Sequence, residues 1–406
     1  MDLHLLEEWF KELEPVGAAL DGGVTRLAYS SEEDEMFDRV SSFARRLGFA
    51  VTSDCIGNMF ISFPGQEGVP CHVTGSHLDS VPRGGRYDGV AGVLAGLLVM
   101  EKTRRLGLPF PVRTAVFRAE ESSLYGLATA GSGTVAGSIG IDQLRNAKSL
   151  SGGSLYDAMT RKGFAPGTCR LDPMIDFSEL HIEQGRVLWE SGESLGIVTA
   201  IAAPTRLKVT VHGRQDHSGA TPMGLRKDGL CASAEIILGV EEAGRAEAIH
   251  ATVATVGVAH AHPNALNVVP GMVELRIDIR GIEKDSISRA VEAVINSIRE
   301  TERKRALRCD VEILSSMDPV TLGPSVTDSL ALAAEEAGIP FRRMPSGAGH
   351  DAMKIAAVAP AGMVFIPCRE GISHNPGEEA SLRDIALGAE IILGGIKIRR
   401  GKAIHK

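Results

Sequence analysis

Residues 74–96 read TGSHLDSVPRGGRYDGVAGVLAG, and the order of residue types within them decides the fold. The apolar run ending at His77 reads as the close of a buried strand, and the residues from Val90 onward read as an apolar helix. A buried strand feeding a buried helix opens a βαβ unit of a mostly parallel sheet. The join carries His77, Asp79 and Asp88, where a turn requires only Gly, Pro or Asn. His77 therefore stands at the carboxyl end of a strand, the edge at which open α/β sheets place their ligands. Asp79 points the same way and is placed to hold the second imidazole nitrogen. Asp88 lies in a glycine-rich loop just before the helix, where N-capping would account for it if it stood alone.

Outward from this stretch the βαβ rhythm continues. EMFDRVSSFARRLGF is helical, AVTSDCIGNMFISF is a hairpin turning near Gly57 and Asn58, and VRTAVFRAEE and MIDFSELHIE are strands. From about Thr205 the character changes. TRLKVTVHG alternates, with Leu207, Val209 and Val211 on one face, and a helix and the strands ATVATVGVA and MVELRIDIR follow. A helix with Ile287, Val291, Val294, Ile295 and Ile298 on one stripe is expected to start at Asp285, and CDVEILS closes a βαββαβ set of ferredoxin-like order. After about Met317 the α/β pattern returns with SVTDSLALAAEEAG, AGMVFIP and LRDIALGAEIILGGI. The economical architecture is an α/β domain with a mostly parallel sheet, residues 1–204 and 317–406, interrupted by an inserted ferredoxin-like α+β lid, residues 205–316.

A chain of 406 residues is long for one core, which agrees with two domains. A net charge of −8 without blocks of like charge argues against a nucleic-acid or membrane surface. The six cysteines have no CxxC spacing and read as reduced, mostly buried residues of a cytosolic protein. MDLHLLEEWFKELEPVG is acidic and amphipathic, unlike a signal peptide, and no apolar run is long enough to span a bilayer. The expected location is the cytoplasm.

Other strand ends repeat the pattern of the first. VRTAVFRAEES ends in the adjacent carboxylates Glu120 and Glu121, MIDFSELHIEQG ends in His181, and the loop after AGMVFIP carries His374. Each alone is an ordinary loop charge or surface histidine. Four strand-end loops together supply the nitrogen and oxygen ligands of a zinc-type site, with one carboxylate to spare. GGRYDGVAG has neither the Lys-Ser/Thr of a phosphate loop nor the spacing of a dinucleotide fingerprint. No Gly-x-Ser-x-Gly elbow and no cysteine in a nucleophile setting is present.

The blocks GSHLDSVPRGGRYDGVAGVLAGL, AEES, ELHIEQG, HSGATPM, NVVPG, GAGHDAM and ISHNPGE resemble, in order and over nearly the whole chain, the amidase/hydantoinase/carbamoylase family of dinuclear zinc hydrolases. That family includes N-carbamoyl-L-amino-acid hydrolases, allantoate amidohydrolases and β-ureidopropionases. The resemblance implies two divalent metals, zinc first, with Mn, Co or Ni also suited. His77, Asp88 and His181 would bind one, and Asp88, Glu121 and His374 the other. Asp79 would orient His77, and Glu120 would be the general base. His217 would stabilise the oxyanion, reaching into a partner subunit of a homodimer formed through the lid. Asn267 and Arg280 would hold a substrate carboxylate, and Gln184 and His350 would contact the substrate's carbamoyl or acid end. His212, His260 and His262 gain no role. The family often reads Glu-Glu-Gly-Ser-Arg-Phe where this chain has EESSLYG, with Leu124 in place of Arg. The implied activity is cleavage of the carbamoyl C–N bond of N-carbamoyl-L-amino acids, with allantoate, β-ureidopropionate or a peptide as alternative substrates.

Overall fold

The computed structural model describes all residues except 21, 168, 170, 171, 405 and 406. It divides into two compact units, one of Met1–Thr199 with Leu322–Lys406 and one of Ala200–Thr321. In the first, the strand Cys71–His77 is buried along its whole length and pairs in parallel with Val112–Phe117 on one side and Met174–Ile182 on the other. Ala361–Ile366 adds to Met174–Ile182, again in parallel. Antiparallel strands flank this parallel centre: Met59–Ser62, then Ala50–Ser53, on one side and Gly196–Ile201 on the other.

Strands buried on both faces need helices on both faces, and the apolar composition of Ala361–Ile366 answers that need. The main core joins residues of these strands to the helices Leu3–Leu13, Ser31–Arg46, Val90–Arg105, Pro324–Glu336 and Leu382–Ile404. The helix Val90–Arg105 is buried nearly all round, so its sequence carries almost no amphipathic signal. Register places His77 opposite Phe117 and His181 opposite Phe365, so these parallel strands all deliver their following loops to one sheet edge.

The second unit has a four-stranded antiparallel sheet in the order Arg308–Ser316, Ala203–His212, Met272–Gly281, Val253–His262. With the helices Gly229–Ala246 and Lys284–Arg305 this is the βαββαβ ferredoxin-like arrangement, its core built from Leu207, Val209, Val211, Leu275, Ile277 and helix residues. Asp228 caps the first of these helices, accepting the amide protons of Leu230 and Cys231. The second helix starts at Lys284, one residue before the expected Asp285. Asp285 instead sits inside the first turn, where a carboxylate favours the positive end of the helix dipole.

The reading of all six cysteines as reduced is corrected. Cys55 and Cys169 form a disulfide, with Cα atoms 5.6 Å apart. The Ala165 amide donates to the Cys55 carbonyl and brings the two segments together, a contact across 114 residues that no local spacing announces. Cys71 and Cys368 are free and buried, Cys309 is free and half-buried, and Cys231 is free and exposed. Among the described residues no helix is long and apolar enough to cross a membrane.

Candidate active site

At the shared strand edge of the first unit, two groups of side chains could each hold a metal ion: His77, Asp88 and His181, and Asp88, Glu121 and His374. Within each group the ligand atoms lie within 4.8 Å of one another. Asp88 belongs to both, and its two oxygens divide between them. Oδ1 faces His77 Nε2 at 3.4 Å and His181 Nε2 at 3.2 Å, while Oδ2 faces His374 Nε2 at 3.4 Å. Glu121 Oε1 lies 3.1 Å from the same His374 nitrogen. Imidazole nitrogens and carboxylate oxygens in two groups sharing one carboxylate fit a pair of divalent cations.

The fold aims each of these nitrogens. The other ring nitrogen of His181 is held by the Ile182 carbonyl at 2.8 Å, and that of His77 by the Asp79 carbonyl at 3.1 Å, so both Nε2 atoms turn toward Asp88. The helix begins after Gly89, not Asp88, and the Asp88 carboxylate caps nothing. Gly89 has φ 66°, and a Cβ there would lie 2.5 Å from the His77 carbonyl oxygen, so glycine permits both the turn and the close approach. His374 has φ 55°, an uncommon backbone for a residue with a side chain, and stands at the mouth of the site.

Asp79 does more than orient an imidazole. Its carboxylate, fully buried, accepts the amide protons of Glu120 at 3.1 Å and of Glu121 at 2.9 Å, and lies 3.4 Å from His77 Nδ1. One carboxylate thus sets the backbone from which the two consecutive glutamates diverge. Glu121 turns to His374, and Glu120, buried, turns toward His77 Nε2 at 3.9 Å without joining either group. The strand leading to them is fixed from behind by a buried ion pair, Arg118 to Glu33 at 2.7 Å, with the guanidinium 4.0 Å from the Phe37 ring centroid.

Burial works against charge on the Asp88 carboxyl, yet His181, His374 and His77 outweigh it and hold it well below the usual carboxylate range. Burial pushes the Glu120 carboxyl well above that range; His77 opposes the shift, and Glu121, Asp351 and Asp79 add to it. Opposite charge nearby would draw it back toward a working base. Asp88 and then Glu121 push the His374 imidazole up to about 10.

Gln184 and His350 lie in the same unit. The Gln184 amide donates to Asp88 Oδ2 at 2.7 Å and reaches His374 Nε2 at 3.3 Å, on a backbone with φ 58°. His350 is buried behind His181, with ring centroids 4.5 Å apart and Nε2 2.8 Å from the Ser346 hydroxyl oxygen. The other expected residues lie in the second unit. His217 and Asn267 sit on adjoining segments, joined by Ser218 N–H to the Asn267 carbonyl at 3.1 Å. The amides of Gly219 and Ala220 both donate to His217 Nδ1, which puts the ring proton on Nε2, an exposed donor. Arg280 stands on the charged face of its sheet, its Nε 2.8 Å from Asp278.

Sequence reasoning passed over Glu378 and Ser373, whose side chains tie the Asp88 loop to the His374 loop. The only sequence signal is their place in the ISHNPGE block beside His374.

Comparison with known proteins identifies the family. The model of peptidase family M20/M25/M40 matches residues 73–397, and the chain belongs to that family. It is an amidohydrolase, of the class that cleaves C–N bonds in non-peptide amides. The chain is 36% identical over 394 residues to an N-carbamoyl-L-amino acid amidohydrolase of Geobacillus stearothermophilus, covering 94% of each. It is 35% identical over 394 residues to an allantoate amidohydrolase of Bacillus subtilis, covering 95% of each. A hydantoinase/carbamoylase family amidase from Burkholderia multivorans superposes with a TM-score of 0.92 at 34% identity, covering 98% of both chains.

Proposed function

We propose that the protein hydrolyses the carbamoyl C–N bond of N-carbamoyl-L-amino acids, yielding the L-amino acid, ammonia and carbon dioxide. The observation that carries this reading is the pair of ligand groups sharing Asp88, with Glu120 beside them and outside both. His77, Asp88 and His181 would hold one divalent cation and Asp88, Glu121 and His374 the second, zinc suiting the donor set and Mn, Co or Ni accepting it as well. Such a pair supplies Lewis acidity to a carbonyl and lowers the pKa of water. Glu120 takes the proton of the attacking water and returns it to the departing nitrogen. Asp79 holds the amides of Glu120 and Glu121, so base and ligand keep their separation.

Gln184 presents an amide donor to the ureido group, and His350 supports that end from behind His181. His217 offers Nε2–H to the developing oxyanion, serving the partner subunit of a homodimer formed through residues 205–316. Asn267 and Arg280 hold the substrate carboxylate, for which a guanidinium is the natural partner. The Bacillus subtilis relative favours allantoate as the second reading.

Ammonia release by the metal-loaded protein tests the assignment, using N-carbamoyl-L- and D-amino acids, allantoate, N-carbamoyl-β-alanine and dipeptides. Selective turnover of the L-carbamoyl compounds is expected. Turnover of allantoate alone would replace the proposed substrate, and dipeptide cleavage alone would move the protein to peptidase chemistry.

A further inference from the structure

The more open of the two ligand groups takes its side chains from three loops, after the strands that end at His77, Phe117 and Ile366. Between Asp88 and His374 the sequence separation is so large that some contact must fix their spacing. Glu378 makes that contact. Its side chain is buried; Oε1 accepts the consecutive amide protons of Tyr87 at 2.9 Å and Asp88 at 3.0 Å, while Oε2 accepts the Ser373 hydroxyl at 2.9 Å. Ser373 Oγ also lies 3.2 Å from Asp88 Oδ2, the oxygen that faces His374.

The backbone around it is shaped for this carboxylate. A Cβ on Gly85 would lie 1.9 Å from the Glu378 carboxyl carbon, so only glycine lets the carboxylate seat beneath the Asp88 loop. Arg26, itself buried, reaches the Gly85 carbonyl from the other side at 3.4 Å.

We infer that Glu378, acting with Gly85 and Ser373, is a positioning residue for the second metal: it sets the separation of Asp88 Oδ2 from His374 without binding the metal itself. The inference rests on the ligand assignment proposed above. Outer-shell partners of this kind change metal affinity about 10–100-fold when removed. The first group keeps two ligands aimed without Glu378, since the Asp79 and Ile182 carbonyls orient the His77 and His181 rings, and so it is affected less.

The test is a zinc titration of the metal-stripped full chain, with the melting temperature of the stripped protein measured alongside. Wild type should take up two ions; one ion or none would defeat the ligand assignment itself. With two ions in wild type, Glu378→Ala should retain the first and bind the second about 10–100-fold more weakly. Gly85→Ala, which alters no ligand, should weaken the same ion. Glu378→Gln keeps one acceptor oxygen for the two amides and should fall between. Turnover should recover at higher zinc in each variant. Wild-type affinity for both ions in Glu378→Gln and Gly85→Ala overturns the inference, as does equal weakening of both ions with a lowered melting temperature. Should Glu378→Ala not fold, the other two variants decide by themselves.

Discussion

Replacing Asp79 should damage the two glutamates more than the histidine beside it. The Asp79 carboxylate accepts two backbone amides, those of Glu120 and Glu121, while the nearer partner of His77 Nδ1 is the Asp79 carbonyl, at 3.1 Å against 3.4 Å for the carboxylate. The carbonyl survives any substitution. In Asp79→Ala the amides of Glu120 and Glu121 lose their carboxylate acceptor, each such hydrogen bond being worth about 1.5–3 kcal/mol, so the local cost is roughly 3–6 kcal/mol. Amide hydrogen exchange at Glu120 and Glu121 should then speed up roughly 10²–10⁴-fold, since about 1.4 kcal/mol is a factor of ten. Displacement of the base by about 1 Å lowers turnover about 100-fold. Binding of the first metal, by His77, Asp88 and His181, should change little. Asp79→Asn, which keeps one acceptor oxygen, should lie between the two. Exchange mass spectrometry on the peptide spanning these residues, with zinc titration and turnover, makes the comparison. Unchanged exchange with lost first-metal binding would show that the carboxylate serves His77 after all, and the reasoning would fail.

Glu120→Gln should lower turnover about 10²–10⁴-fold with zinc content unchanged, because Glu120 lies outside both ligand groups; retained turnover in steady-state assays would remove it as the base. Metal binding at the open group should strengthen with pH. His374 is pushed up to about 10 by Asp88 and Glu121, so below that pH a cation must displace its proton, and affinity should rise about tenfold per unit; a pH-independent zinc titration would contradict this. Chelation should lower the melting temperature: an ion at 100 times its dissociation constant stabilises by about 2.7 kcal/mol, and calorimetry showing no shift would count against buried ligand groups. Reductant should also lower it. The Cys55–Cys169 link spans 114 residues, and closing a loop of about 100 residues is worth about 4.7 kcal/mol in the chain-entropy account. Cys55→Ser should melt at one temperature with or without reductant, and an unaltered wild-type midpoint under reductant would deny the bond a stabilising part.

The two-unit architecture was legible because its elements differ in period. Ala361–Ile366 is apolar throughout and buried on both faces, whereas Ala203–His212 alternates and shows one face to a core. The proposed ligands could be singled out because a strand's last residues must reach the sheet edge, and chemistry-bearing residues stood there several times over. What escaped depends on contacts across long separations. Glu378 meets Asp88 over 290 residues, and Cys55 meets Cys169 over 114. The work of the Asp79 side chain escaped for a different reason. Spacing places a carboxylate near an imidazole, but whether side chain or carbonyl takes the ring nitrogen depends on differences of tenths of an ångström. His350 shows the same limit: its motif sits at a strand edge, while its ring is buried behind His181.

Charge explains why so polar a site can sit inside an apolar unit. Asp79, Asp88, Glu120 and Glu378 are buried, and Glu121 is half-buried beside them. Isolated carboxylates in such surroundings would protonate, and burial does push Glu120 and Glu378 in that direction. Arg26 is buried close enough for Glu378, Asp88 and Asp79 each to favour its charge, against a burial that lowers its pKa to about 10. Among the described residues its guanidinium has only weak partners, the Gly85 carbonyl at 3.4 Å and Met36 Sδ at 3.5 Å. A buried cation so poorly hydrogen-bonded is costly unless it answers a field, and the field is that of the carboxylates. Arg26 thus belongs to the same charge balance as the proposed metal ligands, although nothing in its own stretch of sequence marks it out.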